Sequence, residues 1–231
     1  MRPAGPSPPR FSPRLAAAGI AVAAALLAAG CLNPFRPALP EGTNGVFVKE
    51  DFTTPDALLN TLAEAYAVGQ SGATAYGDAF AESLSTADHD YRQFYDPGVL
   101  AAANAAHQLV PDPWDLTHER IFYGYMINLQ PSDNLSLLLD RDPTSPNDDP
   151  SSQSPATFHR HYTLIGSPEN GSRTDTLAIG YADITFYKNR GRWYIFVWND
   201  RVDPAIGVHP ANPTNKCMSQ LRIDSQSSGG T

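Results

Sequence analysis

Hydrophobic positions in this chain change their period partway along. From Leu58 through Leu59, Leu62, Ala65 and Tyr66 they recur at the spacing of a helix that buries one face. Thr54 predicts its N-cap, Pro55 suits the first helical position, and Asp56 complements the positive helix end, so the helix runs to about Gly69. A short second helix is predicted from Ala73 to Leu84, with Tyr76, Ala79, Phe80 and Leu84 on one side. Asp90 to Asp96 alternates and predicts a short strand, closed by a turn at Asp96-Pro97-Gly98. Asp115 or Thr117 caps a third helix carrying Ile121, Phe122, Tyr125, Met126 and Leu129, which ends before Pro131.

Beyond Pro131 the period falls to two. Candidate strands are Leu135 to Leu139, Phe158 to Ile165, Thr176 to Lys188, Trp193 to Val202 and Cys217 to Ile223. Asp142 to Pro155 is rich in Pro, Ser and Asp and reads as a long mobile hairpin loop. Between the two longest strands lies Lys188-Asn189-Arg190-Gly191-Arg192, where Gly191 takes positive φ most readily. A three-residue loop with a glycine bulge is expected, because a two-residue turn would force Arg190 to positive φ as well. That register sets Ala182 opposite Trp198, Ile184 opposite Phe196 and Phe186 opposite Tyr194 as a packing face. The other face then holds Tyr181, Asp183 and Thr185 beside Ile195, Val197, Asn199 and Arg201, the mixture expected of a pocket wall or interface.

The two ends of the chain read differently from its middle. Arg2, Arg10 and Arg14 precede an unbroken apolar run, Leu15 to Gly30, which closes in Leu27-Ala28-Ala29-Gly30-Cys31. The run is shorter than the ~20 apolar residues that a membrane-spanning helix needs. The pattern resembles the lipobox of bacterial lipoproteins. The resemblance implies that residues 1–30 are a signal peptide, that Cys31 is lipidated, and that the acyl chains tie the protein to a bilayer. Residues 31–50 then form a proline-rich tether, 51–224 one domain and 225–231 a disordered tail. Leu32 after the cysteine resembles lipoproteins passed to the outer membrane of the cell envelope.

Charge narrows the partners. The chain has 16 Lys and Arg against 24 Asp and Glu, and three of the arginines belong to the leader. No basic stripe is present, so nucleic acid is not an expected partner, and attraction to anionic headgroups is not expected either. Cys217 is the only cysteine besides Cys31; it lacks a nearby His and reads as a buried structural thiol.

A family resemblance gathers these elements. Asp56-Ala57-Leu58-Leu59-Asn60 through Ala65-Tyr66-Ala67, Phe94-Tyr95-Asp96-Pro97, Gly191 to Asp200, and Ser219-Gln220-Leu221-Arg222 together resemble small bacterial lipoproteins of the nuclear-transport-factor-2-like superfamily. The resemblance implies an α+β fold, a cone-shaped curved antiparallel sheet wrapped around N-terminal helices. Members leave the cone empty, fill it with ligand, or furnish it with catalytic groups, so fold does not fix function. Residues 101–113 and the 142–155 loop depart from the pattern.

Three constellations could carry chemistry. Relatives resembling ketosteroid isomerase use a carboxylate in an apolar cone, which makes Asp183 the candidate base, with Tyr181 and Tyr187 as donors on its face. Against this, Arg201 on the partner strand can simply pair with Asp183. Asp140-Arg141-Asp142 superficially matches the Asp-Arg-Asp set of limonene epoxide hydrolase, but contiguous strand residues alternate sides, and solvated charges are the better reading. His159 and His161 share a strand face as metal ligands can, yet no third ligand is assignable, and a solvent-facing pair is expected. Neither a phosphate loop nor a nucleophile elbow is present.

The expectation is therefore a lipid-anchored, exported, non-catalytic module that binds a small molecule or an envelope protein, without metal or cofactor. Tyr181, Asp183, Trp198, Asn199 and Arg201 are its candidate binding residues. The alternatives are a small-molecule isomerase or hydratase using Asp183, and a scaffold in an envelope assembly that pairs sheet faces in a homodimer. A cone filled by Trp198, Phe196 and Phe122 would leave only surface binding.

Overall fold

The computed structural model describes residues 48–82, 90–129, 135–166, 175–205 and 216–228. The leader, Cys31 and most of the tether lie outside these residues. Helix α1 (Pro55–Ala67) is followed by a 3-10 turn (Gly69–Gly72) and a short α2 (Ala73–Asp78). Then come β1 (Arg92–Phe94), α3 (Pro97–Ala105), α4 (Leu116–Leu129), β2 (Leu135–Arg141), β3 (Ala156–Gly166), β4 (Asp175–Asn189), β5 (Arg192–Val202) and α5 (Met218–Ser228). The architecture is α+β, with one sheet ordered β1-β5-β4-β3-β2. Only β1 runs parallel to its neighbour.

The start of α1 follows the expected chemistry: the Thr54 side chain accepts from the Ala57 amide at 3.1 Å, and Pro55 opens the helix. Its buried face, Leu58, Leu59, Leu62, Ala65 and Tyr66, packs on β2 and β5. At Gly72 an added Cβ would fall 2.3 Å from the Ala65 carbonyl oxygen, so only glycine lets the 3-10 turn close on α1. Alternation along β3 buries Ala156, Phe158, Arg160, Tyr162 and Leu164 beneath the helices, while Thr157, His159, His161, Thr163 and Ile165 face the other way.

Several expectations need correcting. Cys217 to Ile223 is not a strand: Met218 begins α5, which continues through Ser225 to Ser228, into the stretch read as a disordered tail. Its buried residues Met218, Leu221, Arg222 and Ser225 recur every three or four positions, a helical period that a short window conceals. The second helix ends at Asp78 rather than Leu84, because Ala79 to Ala81 instead bonds to Ile195 on β5. Asp96-Pro97-Gly98 is not merely a turn closing β1 but the start of α3, which Asp96 caps by accepting from the Gly98 and Val99 amides. In α4 the buried stripe is Leu116, Glu119, Phe122, Tyr123, Met126 and Ile127, which leaves Ile121 and Leu129 exposed.

The β4–β5 hairpin also differs. Asn189 pairs with Arg192 across a two-residue turn, with Arg190 at φ 49° and Gly191 at φ 86°. Arg190 thus takes the conformation that the expected loop was meant to spare it. Phe186 pairs with Ile195 and Thr185 with Val197, so a bulge at Phe196 restores Ile184 to Trp198 instead of Phe196. Ile195 consequently points into the core and not toward the open face.

The 142–155 loop is tied down rather than mobile. Asp149 accepts from the Thr157 amide at 2.9 Å, and Asp148 accepts from the His159 amide at 2.9 Å and from Arg160 Nη1 at 2.7 Å. Arg160 also reaches Asp56 at 3.2 Å, which links the loop, the inner sheet face and the start of α1.

Candidate functional site

The candidate residues fall on two sides of the sheet. Tyr181 and Asp183 on β4 and Asn199 and Arg201 on β5 share its open face, since the register sets Tyr181 opposite Arg201 and Asp183 opposite Asn199. Trp198 does not join them. Its side chain is buried on the inner face, as strand alternation requires of the residue before Asn199.

Asp183 is the hub of the open face. Its Oδ1 lies 2.7 Å from His159 Nδ1 and accepts from Arg201 Nη2 at 2.9 Å. His159 arrives there because β3 pairs His159 with Asp183 directly. Arg201 also approaches Asp142 at 3.7 Å and lies over the Tyr181 ring at 5.8 Å. The His161 ring sits 4.8 Å from the Tyr181 ring, and its Nε2 is 3.5 Å from Asp203 Oδ2. Desolvation raises the Tyr181 phenol, and Asp203 and Asp142 raise it further, while Arg201 opposes them. The hydroxyl therefore stays protonated and able to donate.

The expected pairing of Arg201 with Asp183 is present, and the two imidazoles do share a face. Each is matched with an aspartate. Among the described residues no group of three or more His, Cys, Asp or Glu is placed to hold a metal ion. Asp142 is not a solvated charge: it is buried and organises the loop start, accepting from the Thr144 amide at 2.8 Å, the Thr144 hydroxyl at 2.6 Å and the Ser145 hydroxyl at 2.5 Å. Burial alone would raise its carboxyl, but those bonds and Arg201 bring it down to about 2.

The inner face of the sheet and the helices enclose two charged networks that the sequence reading did not identify. Glu119 on α4 accepts from Tyr76 at 2.6 Å, from Trp114 Nε1 at 2.7 Å, and from Arg222 Nε and Nη2 at 2.9 and 2.7 Å. The Arg222 guanidinium lies 4.9 Å from the Phe122 ring and 5.3 Å from the Trp198 ring. Burial disfavours the Arg222 cation, yet Glu119 beside it holds its pKa well above the usual value. In the second network Tyr162 donates to Asp200 Oδ1 at 2.7 Å, and the Ser219 amide donates to Oδ2 at 2.6 Å. Desolvation raises the Asp200 carboxyl in spite of Arg222 and these donors. One signal could have revealed Glu119. It stands three residues after Leu116 and three before Phe122, a charge set on an apolar stripe.

Clefts of about 410, 390 and 170 Å³ are among those that indent the described surface. These three are not lined by Tyr181, Asp183, Asn199 or Arg201. No helix among the described residues is long and apolar enough to cross a membrane.

Comparison with known proteins adds little beyond this geometry. No protein family profile and no curated protein matches the chain. Among solved structures, the chain is similar to a protein of unknown function from Mycobacterium tuberculosis, at 12% identity and a TM-score of 0.47, over 75% of this chain and 84% of that one. A protein proposed to be an aromatic ring hydroxylase, from Novosphingobium aromaticivorans, is 14% identical with a TM-score of 0.43, over 66% and 88% of the two chains. A third, of unknown function with a cystatin-like fold, from Nostoc punctiforme, is 13% identical with a TM-score of 0.38, over 65% and 92%.

Proposed function

We propose that this chain is a lipid-anchored envelope protein of the nuclear-transport-factor-2-like kind, held at the outer membrane through acylated Cys31, whose domain binds a partner without transforming it. The observation that carries the reading is the position of Asp183. It lies on the open sheet face, matched by His159 and Arg201, and not in an apolar enclosure that would favour proton transfer. The interior is occupied by Trp198, Phe122 and the Glu119–Arg222 pair, which favours surface recognition over a ligand held inside. Tyr181, Asn199 and Arg201 supply an aromatic ring, an amide and a guanidinium on adjacent strands, groups suited to a polar protein surface.

The test has two arms on the full chain expressed in a bacterium. Wild-type protein should sediment with membranes and Cys31→Ser should not. A photo-crosslinking residue at the exposed position Asn199 should yield a discrete heavier adduct with an envelope component. Membrane retention of Cys31→Ser would overturn the anchor, and the absence of any adduct would overturn the binding face.

A further inference from the structure

Two of these clefts meet along β1, at the edge of the open sheet face, where Arg92 pairs with Val197 and Phe94 with Asn199. Arg92 and Pro113 line both of them. The 390 Å³ cleft is otherwise walled by Phe94, Tyr95, Leu100 and Val110 together with the polar Gln93, Asn104 and Asp112, and its volume falls in the range of small-molecule sites. Phe94 is 53% exposed, and Leu109, next to Val110, is 73% exposed. Phe94, left this open in the wall of the groove, marks apolar surface available for contact.

Arg92 adds a charge to that surface. Its side chain makes no hydrogen bond or ion pair with another described residue, whereas Arg120 bonds Glu82, Arg160 bonds Asp148, Arg201 bonds Asp183 and Arg222 bonds Glu119. The 410 Å³ cleft does not supply the missing counter-charge. Glu82 is engaged by Arg120 and Asp115 by His118, while Asp90 and Asp112, which line one cleft each, form no ion pair with Arg92. An exposed arginine that begins β1 without a partner among the described residues, at the junction of two clefts and beside Phe94, has the form of a head-group site next to a chain site. The planar guanidinium fork matches a carboxylate through two parallel hydrogen bonds.

We propose that the groove along β1 binds a free single-chain carboxylate, with the carboxylate on Arg92 and the chain against Phe94, Leu100 and Val110. The groove lies at the β1 edge of the same sheet face but is not lined by Tyr181, Asp183, Asn199 or Arg201, and carboxylate binding and the envelope crosslink are read separately, so either can fail without the other.

Calorimetric titration of the full chain carrying Cys31→Ser with dodecanoate, below the concentration at which it forms micelles, tests this. Dodecyltrimethylammonium, with the same chain and the opposite head charge, is the second probe. The expected result is saturable binding of dodecanoate with one site. Both Arg92→Gln and Phe94→Ser, each with an unchanged thermal melt, should weaken it by about five-fold or more. The cationic probe should bind more weakly than dodecanoate to the unsubstituted groove. No saturable dodecanoate binding, equal affinity for the two probes, or affinity unaltered in both variants would overturn the proposal.

Discussion

Arg222 grips Glu119 through two parallel hydrogen bonds, 2.9 Å from Nε to Oε2 and 2.7 Å from Nη2 to Oε1, across 103 residues of sequence. The pair fastens α5 to α4 in surroundings with almost no water. Breaking a buried pair by removing one partner leaves an uncompensated charge. Glu119→Gln should therefore destabilise the domain by about 3–5 kcal/mol, measured as a fall in the urea midpoint. Replacing both partners, Glu119→Leu with Arg222→Met, should cost less than the two single changes together, because neither charge is then stranded.

A second long-range tie depends on a glycine. Tyr162 Oη donates to Asp200 and accepts from the Met218 amide at 2.9 Å, and it reaches them by passing over Gly180. A Cβ at Gly180 would meet that oxygen at 2.4 Å and the Arg201 carbonyl oxygen at 2.7 Å. Gly180→Ala should cost about 1–3 kcal/mol by overpacking, read by thermal melting. The cost should shrink, without vanishing, in a Tyr162→Phe background, since the Arg201 carbonyl still obstructs.

These two ties also mark where sequence reasoning succeeded and where it stopped. Thr54, Pro55 and the leucines after them announce α1 because capping and periodicity are local. The alternation through Phe158, Arg160 and Tyr162 likewise announces β3. Arg201 and Asp183 were legible as a pair because the hairpin brings neighbouring strands together. Phe196 was not legible as a bulge, because nothing local marks it, and the neighbouring Ile195 is also held by backbone bonds to Ala79 and Ala81, far away in sequence. Nor could Cys217 to Ile223 be read as helical from so few residues, when the decisive contact is Arg222 with a glutamate on a distant helix. Arg92 looked ordinary in sequence, and only the third dimension sets it between two clefts.

Acid should loosen the loop that Asp142 organises. Its folded carboxyl is held down to about 2, below the ordinary value of 3.8. The stability this contributes is complete above about pH 4 and is lost as pH falls through about 2. Urea midpoints measured across that window should decline more steeply for the wild type than for Asp142→Asn. Equal slopes would show that the Thr144 and Ser145 bonds do not favour the ionised form.

Cys217 should behave as an inert thiol. Burial pushes its pKa far up, and the Asp200 charge pushes it further. In the full chain carrying Cys31→Ser, a maleimide should label Cys217 only at the rate of unfolding or local opening, and urea should accelerate labelling in step with loss of structure. Rapid labelling at neutral pH in the folded protein would contradict the packing around α5.

On the proposed reading, the open sheet face with Asp183 and Arg201 paired upon it is where this protein recognises its partner. The most direct measurement is the yield of the Asn199 crosslink in intact cells, compared between the wild-type face and Arg201→Gln at matched protein levels and matched melting temperature. A clear adduct is expected that falls several-fold with Arg201→Gln, by the ~1 kcal/mol or more that a lost charged hydrogen bond represents. An adduct of unchanged yield, or no adduct at Asn199 in either protein, would contradict it.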